Sequence, residues 1–465
     1  MKFRLPELVV PDTDPFANDV LDRRPVVELL VGLLKRFNGP FVLALDSPWG
    51  TGKTTLVRML KTRMEQEKFQ CVYFNAWQSD YVADPLVALV AEVDSIELAD
   101  SGAKSEFKKH LSKAKQITSA VAKRGLIAAA KAATLGALDL KEDIEAVAAE
   151  VAGGLTGDAV EAFQKEKAAL VALRQELESA VSQLQAVGKQ PSLIFFIDEL
   201  DRCRPTFAIE VLERIKHLFD LSNIIFVLSI DKAQLSASVA SVYGEKSNTQ
   251  EYLRRFFDLE FGIPKIHPKK YTEVLVNNFG LDEVFAKRTH RDFRYERSHF
   301  IDYFSAVADV FQLSLRARER CLTMLAVVLH QTAENQYLDA ILVSFLIVLR
   351  AKRIELFQGL CDGSLSPETV MAAIAELPGG TQLAGGRPGV IIQSYLLAGD
   401  PVADRSEAYY IGLEDLCKSD ASDSAARSHA QELLQLRNNI LDGFRGRFDY
   451  RSVAQKIDLA ASFRD

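Results

Sequence analysis

The sequence predicts an α/β fold: a parallel sheet with helices on both faces, interrupted by a long helical insertion and followed by an all-helical C-terminal region. Three observations predict it. Short apolar runs alternate with helix-period segments in the first part of the chain, the pattern that builds a parallel sheet covered on both sides. Residues from about 100 to 190 carry almost no strand signal and are rich in Ala, Glu, Lys and Gln. Beyond Pro264 the pattern is helical almost to the end.

Phe41–Asp46 (FVLALD) is an apolar run that ends at the turn-rich SPWGTG, and a helical pattern follows with Leu56, Met59 and Leu60 on one face. This is strand, loop, helix. Cys71–Asn75 (CVYFN) reads as a second strand and Pro85–Val93 as a helix. Inside the insertion, Phe163, Leu170, Leu177 and Leu184 recur every seven residues, and Leu173, Ala180 and Val187 fill the positions between them. Such a heptad seam packs either on its own domain or against another chain. Strand signals return at Ser192–Asp198 (SLIFFID) and Asn223–Ile230 (NIIFVLSI), with a helix over Phe207–Phe219 between them. Leu259–Ile263 (LEFGI) is a fifth strand. Turn residues at Asp362–Pro367 mark a loop. The glycine-rich Pro378–Gly389 reads as a linker, because it lacks GxGxxG spacing and follows no strand.

Composition bounds the class. Of 465 residues 48% are apolar and 26% charged, a globular balance that suits two or three domains. A formal net charge of -7 gives no general footprint for nucleic acid. The cysteines Cys71, Cys203, Cys321, Cys361 and Cys417 form no CxxC pair and have no histidine at metal spacing. They read as free thiols in a reducing cytoplasm. Met1–Val10 is broken by Arg4 and Glu7, so no secretory leader is expected. Ala340–Leu349 is apolar but half the length of a span, which points to a buried helix. Ile117–Leu138 is long enough, yet carries Lys123, Arg124 and Lys131. Cations inside a span are costly, so this segment reads as a soluble or surface-lying helix, and no transmembrane span is expected.

The strongest chemical signal is Ser47-Pro48-Trp49-Gly50-Thr51-Gly52-Lys53-Thr54. Its GTGKTT half fits a phosphate loop, with Ser47 in place of the first glycine. Gly50 and Gly52 let backbone N–H groups turn around phosphates. Lys53 sets its ammonium against the β/γ-phosphates, and the Thr54 hydroxyl ligates Mg²⁺ at a helix N-terminus. Trp49, Thr51 and Thr55 complete the nucleotide-binding run. Leu193–Asp198 followed by Glu199 is the apolar strand a metal site requires. Asp198 holds Mg²⁺ through water and Glu199 polarises the attacking water as general base. Ser229 and Asp231 end the strand expected between these two. They either orient the water and sense the γ-phosphate or cap the following helix. Arginines follow: Arg202, Arg254 and Arg255, then Arg316, Arg318 and Arg320. One of them reaches a γ-phosphate, often across a subunit boundary, or they form structural ion pairs. No NKxD guanine motif is present, which favours ATP.

Taken together, SPWGTGKTTL, FNAW at Phe74–Trp77, IDELDRCRP at Ile197–Pro205, FVLSIDKAQL at Phe226–Leu235, EYLRRFFDLEFGIP at Glu251–Pro264 and SLRARER at Ser314–Arg320 resemble the KAP family of P-loop NTPases. DPFANDVLDRRPVVELLVGLL resembles the family's opening, which passes near the nucleotide base. The resemblance covers about residues 12 to 330. It implies a discontinuous P-loop NTPase core over 1–99 and 191–265, a helical insertion over 100–190 and a helical lid over 266–360; the helical pattern beyond it gives a helical C-terminal region over 361–465. It also implies Mg²⁺-dependent ATP hydrolysis, with Glu199 and Lys53 and either Arg254 or Arg255 as the catalytic set, Asp231 and Arg316 at the nucleotide, and Thr54 and Asp198 at the metal. Many members carry transmembrane helices in the insertion; the charged, alanine-rich insertion of this chain departs from them. Other members are similar to bacterial phage-exclusion ATPases. That likeness implies a cytoplasmic homo-oligomer acting in defence with a separately encoded effector protein.

Overall fold

The computed structural model describes residues 9–462 apart from 38, 99–101, 136–155, 219–220, 245, 247, 266, 289–293, 335, 337, 419–423 and 444–448. The chain forms two compact units, residues 8–264 and residues 265–465.

The first unit holds five strands: β1 Phe41–Asp46, β2 Gln70–Asn75, β3 Leu193–Asp198, β4 Ile224–Ile230 and β5 Leu259–Gly262. All pair in parallel, in the order β2-β3-β4-β1-β5. Every residue of β3 and β4 is buried, as unbroken apolar runs allow only where both faces are covered. The pleat sends alternate residues to opposite faces. Leu43, Leu45, Ile194, Phe196, Ile225 and Val227 join one apolar layer with helices α1 (Arg24–Leu34) and α2 (Lys53–Gln66). Ala44, Phe195, Ile197, Phe226 and Leu228 join the other, against α3 (Pro85–Asp94) and the insertion. The register sets Asn75 beside Asp198, Asp198 beside Ser229 and Asp46 beside Ile230. The C-terminal strand ends therefore gather four chemistry-bearing segments at one edge of the sheet.

The insertion contributes α4 (Gly102–Leu135) and α5 (Thr156–Ser182). The heptad seam packs on its own chain. Leu173, Leu177, Ala180 and Leu184 are buried with Phe107, Leu111 and Ala114 in the same core as β3 and β4, and Leu170 and Val187 pack at its border. The seam position Phe163 has its side chain outside the described residues. Leu177→Ala is expected to cost about 2–5 kcal/mol, the usual range for emptying a packed core site. Urea unfolding at several protein concentrations checks this. A seam serving a second chain would give a concentration-dependent midpoint; an internal one gives a constant midpoint. Of Ile117–Leu138, the backbone is helical to Leu135. The side chains of residues 120–135 and all of residues 136–138 lie outside the described residues. Among the described residues no helix is long and apolar enough to cross a membrane.

The second unit is helical from Pro268–Asn278 to Arg451–Ser462. The helix Ala340–Lys352 is buried over every residue from Ala340 to Leu349, which explains an apolar run too short for a span. The linker expected at Pro378–Gly389 is a correction. Gly380–Gly385 is helical, and a second helix, Arg387–Ala398, begins within the segment. A Cβ at Gly380 would lie 1.8 Å from the Ile374 carbonyl oxygen, and one at Gly389 would lie 2.4 Å from those of Leu383 and Ala384. These glycines permit close backbone approach rather than loop freedom.

Candidate functional site

The loop after β1 begins with a backbone anchor: the Ser47 N–H donates to the Ile230 carbonyl at 3.1 Å. Gly50 and Gly52 then take the left-handed conformation, with φ of 73° and 83°, which glycine adopts without cost. Ser47 does not have positive φ, so the residue that replaces the motif's first glycine needs no glycine freedom. Its hydroxyl donates to Thr51 Oγ1 at 2.8 Å, and Thr51 Oγ1 donates to the Pro48 carbonyl at 2.8 Å. The serine thus ties the two sides of the loop together. Gly52 precedes α2, so Lys53, Thr54 and Thr55 form its first turn, where unpaired N–H groups attract anions.

Lys53 lies inside this loop. Its Nζ donates to the Ser47 carbonyl at 2.5 Å and stands 3.8 Å from Asp201 Oδ2. Burial lowers its pKa; Asp201, Asp231, Asp198 and Asp46 pull it back up. Four carboxylates around one ammonium leave a local excess of negative charge before any phosphate arrives, and added cationic charge fits such a place.

Asp198 ends β3 and is buried. The Tyr73 hydroxyl donates to its Oδ2 at 3.0 Å and the Glu199 N–H to its Oδ1 at 2.9 Å. Each oxygen is oriented and keeps lone pairs for metal-bound water. Burial and the Asp198 charge push the Tyr73 hydroxyl pKa well up, so it stays a donor. These free lone pairs suit the waters of a magnesium ion, the role expected of Asp198, and Thr54 stands in the first turn of α2. Among the described residues no cluster of three His, Cys, Asp or Glu could cage a metal. Magnesium does not need one, since it keeps waters and takes phosphate oxygens.

Glu199 follows Asp198 in the left-handed region, at φ 61°, a conformation that non-glycine residues take where surroundings impose it. Its Oε2 accepts from Asn75 Nδ2 at 3.0 Å, and its Oε1 pairs with Arg202 at 2.7 Å. Arg202 in turn lies over the exposed Trp77 ring, 5.7 Å from its centroid. Asp231 has the capping role expected of it and a second bond to the phosphate loop. It caps the helix Lys232–Tyr243 by accepting from the Gln234 N–H, and it accepts from the Trp49 N–H at 3.1 Å. Ser229 is fully buried and its hydroxyl has no hydrogen-bond partner among the described residues. Buried hydroxyls are normally satisfied, so this atom, on the strand between β1 and β3, suits a ligand oxygen or water.

The structure thus brings Trp49, Gly50, Thr51, Gly52, Lys53, Thr54, Thr55, Asp198, Glu199 and Asp231 to one edge of the sheet. Arg254 and Arg255 are exposed, and Arg254 pairs with Glu251 on its own short helix, Thr249–Arg254. In the second unit Arg316 is exposed at the start of helix Leu315–His330, whereas Arg318 is buried and bonded to Asp309 and the Leu313 carbonyl. Arg318 is therefore a structural ion pair. Sequence reasoning missed Asn75, Tyr73, Asp201 and Arg23. Arg23, buried, donates to the Thr51 carbonyl at 3.0 Å and the Pro264 carbonyl at 2.6 Å. The signals were the strand-end Asn of FNAW, the third acid of DELDR and the arginines of the opening segment.

The match to the KAP family P-loop domain spans residues 23–343, well over half of the chain. The chain belongs to this family of P-loop NTPases. Its family domain begins at Arg23, the residue that braces the phosphate loop, and runs past the sheet unit into the helix Ala340–Lys352. Among solved structures, the chain is similar to the Aeropyrum pernix ORC2 protein in its ADPNP–ADP complexes, at a TM-score of 0.33 and 14% identity over 90% of this chain and 94% of that one. It is also similar to a DNA replication initiation factor, at a TM-score of 0.27 and 10% identity over the same shares of the two chains. Neither likeness is close enough to carry weight. No curated protein matches the chain.

Proposed function

We propose that this KAP NTPase binds ATP with Mg²⁺ and hydrolyses it. The observation that carries this reading is the half-buried Lys53 ammonium inside a glycine-turned loop, on the same sheet edge as the Asp198–Glu199 pair. The backbone N–H groups of Gly50, Thr51 and Gly52, with Thr55 and the helix N-terminus, bind the phosphates. Lys53 neutralises the β/γ-phosphates. Magnesium, held by Thr54 and Asp198, supplies charge neutralisation on the transferred phosphoryl group. Glu199 takes the proton of the attacking water. Trp49, Asp231 and Arg316 contact the nucleotide. The lack of an NKxD motif supports ATP over GTP.

The exposure of Arg254 and Arg255 suits a residue that completes the site of a neighbouring copy, so we assign the trans arginine to one of them, in a homo-oligomer. We assign residues 266–360 as a helical lid, followed in the same helical unit by the C-terminal region 361–465. The defence role, a cytoplasmic ATPase acting with a separately encoded effector protein, is proposed by analogy with other family members alone. One observation favours a second reading, a slow-turnover nucleotide switch or scaffold. Glu199 is held by both Asn75 and Arg202, and a base engaged in this way turns over slowly until it is freed.

Phosphate release by the purified chain, measured across protein concentrations, tests these readings together. Release with Mg²⁺ and ATP is expected, with a rate per chain that rises with concentration. Arg254→Ala or Arg255→Ala is expected to abolish that rise while binding persists. No release at any concentration selects the switch. A concentration-independent rate from a monomer removes the trans arginine.

A further inference from the structure

Asp201 has no part in the chemistry above, yet it is among the most buried carboxylates near the phosphate loop, with its side chain 2% exposed. A single oxygen, Oδ2, accepts the indole N–H of Trp49 and also faces Lys53 Nζ at 3.8 Å. Trp49 is 46% exposed, and its own backbone N–H is tied to Asp231 at 3.1 Å. One buried oxygen is therefore shared between the loop ammonium and a half-exposed aromatic ring. In a site of low dielectric such shared bonds polarise one another, and a change at one donor is felt at the other.

Lys53 has the Ser47 carbonyl and Asp201 as partners. A triphosphate offers the ammonium stronger, fully charged acceptors. When Lys53 turns its charge to phosphate oxygens, Trp49 becomes the principal donor left to Asp201 Oδ2. The buried carboxylate then needs the indole N–H more, because an unpaired buried charge is costly. We propose that Asp201 is a positioning residue that couples phosphate engagement by Lys53 to the half-exposed Trp49 indole. The inference rests on the phosphate-loop reading of Lys53. Its consequence is a surface beside the loop that changes with phosphate occupancy.

The chain has two tryptophans, so Trp77→Phe in the full-length protein leaves Trp49 as the only indole. Titrating this protein with Mg²⁺ and inorganic tripolyphosphate delivers phosphates without a base that could stack on the ring. Its indole emission is expected to shift, and a non-hydrolysed ATP analogue is expected to give the same shift. Adding Asp201→Asn keeps the shape and an acceptor for the indole but removes the charge. The shift at saturation is then expected to fall by at least half, while tripolyphosphate affinity in calorimetry is unchanged or tighter. A residue that only supports packing would lower affinity and leave the response per bound ligand intact, and that result would overturn the proposal. So would tripolyphosphate binding without any emission change in the Trp77→Phe protein, which does not depend on the Asn variant folding. Binding of neither tripolyphosphate nor ATP would overturn the phosphate-loop reading and the coupling with it.

Discussion

Glu199→Gln is expected to bind ATP about as well as the parent protein and to hydrolyse it about 10²–10⁴ times more slowly, the range typical of a lost general base. The binding half follows because Lys53, Thr54 and Asp198 are untouched. The amide oxygen of glutamine can still accept from Asn75, which now meets Oε2 of the acid at 3.0 Å. The amide nitrogen, however, faces Arg202, which now pairs with Oε1 at 2.7 Å. Two donors then oppose each other, and Arg202 keeps only the Trp77 ring among these contacts. Calorimetry for binding and single-turnover phosphate release for chemistry separate the two effects. Because ATP persists, any nucleotide-dependent oligomer accumulates and is visible by light scattering. If defence needs turnover, cells carrying the variant lose protection on phage challenge. If the protein is an ATP-held switch, they keep protection or signal constitutively. Parental turnover by the glutamine variant would remove Glu199 as the base and move the role to Asp231.

Lys53→Ala is expected to lower nucleotide affinity by about 10- to 100-fold, since hydrogen bonds to charged groups contribute about 1.5–3 kcal/mol and each 1.4 kcal/mol is tenfold. The structure adds a second consequence. Lys53 is the cation that faces Asp201, at 3.8 Å, and burial already pushes the Asp201 pKa up. Removing the ammonium leaves that carboxylate with the Trp49 indole and less charge compensation, so the alanine variant is also expected to melt at a lower temperature near neutral pH. Thermal melting and ATP calorimetry on the same sample check both. Undiminished ATP affinity would sink the phosphate-loop assignment.

The fold was largely legible because its signals are local. Unbroken runs such as LIFFID and IIFVLSI need cover on both faces, and that requirement is written in six or seven adjacent residues. The same holds for the glycines and lysine of GTGKTT, whose turn chemistry and charge act within one loop. The Pro378–Gly389 segment misled for the complementary reason. Its glycines answer to backbone atoms that pack against them, and composition alone makes such glycines look like loop residues.

The residues around the site divide the same way. By itself the sequence determined the strand–loop–helix at Phe41–Gln66 and the acidic pair at the end of β3, because each follows from short-range pattern; the placement of β4 beside both was expected only by analogy with other sheets that carry a phosphate loop. Only the tertiary structure decided that Asn75 holds Glu199 across 124 positions of chain, that Trp49 reaches Asp201 across 152 and that Arg23 clamps the phosphate loop to Pro264. These bonds depend on which strand ends become neighbours and on burial that makes an unpaired charge costly. No window of sequence contains that information.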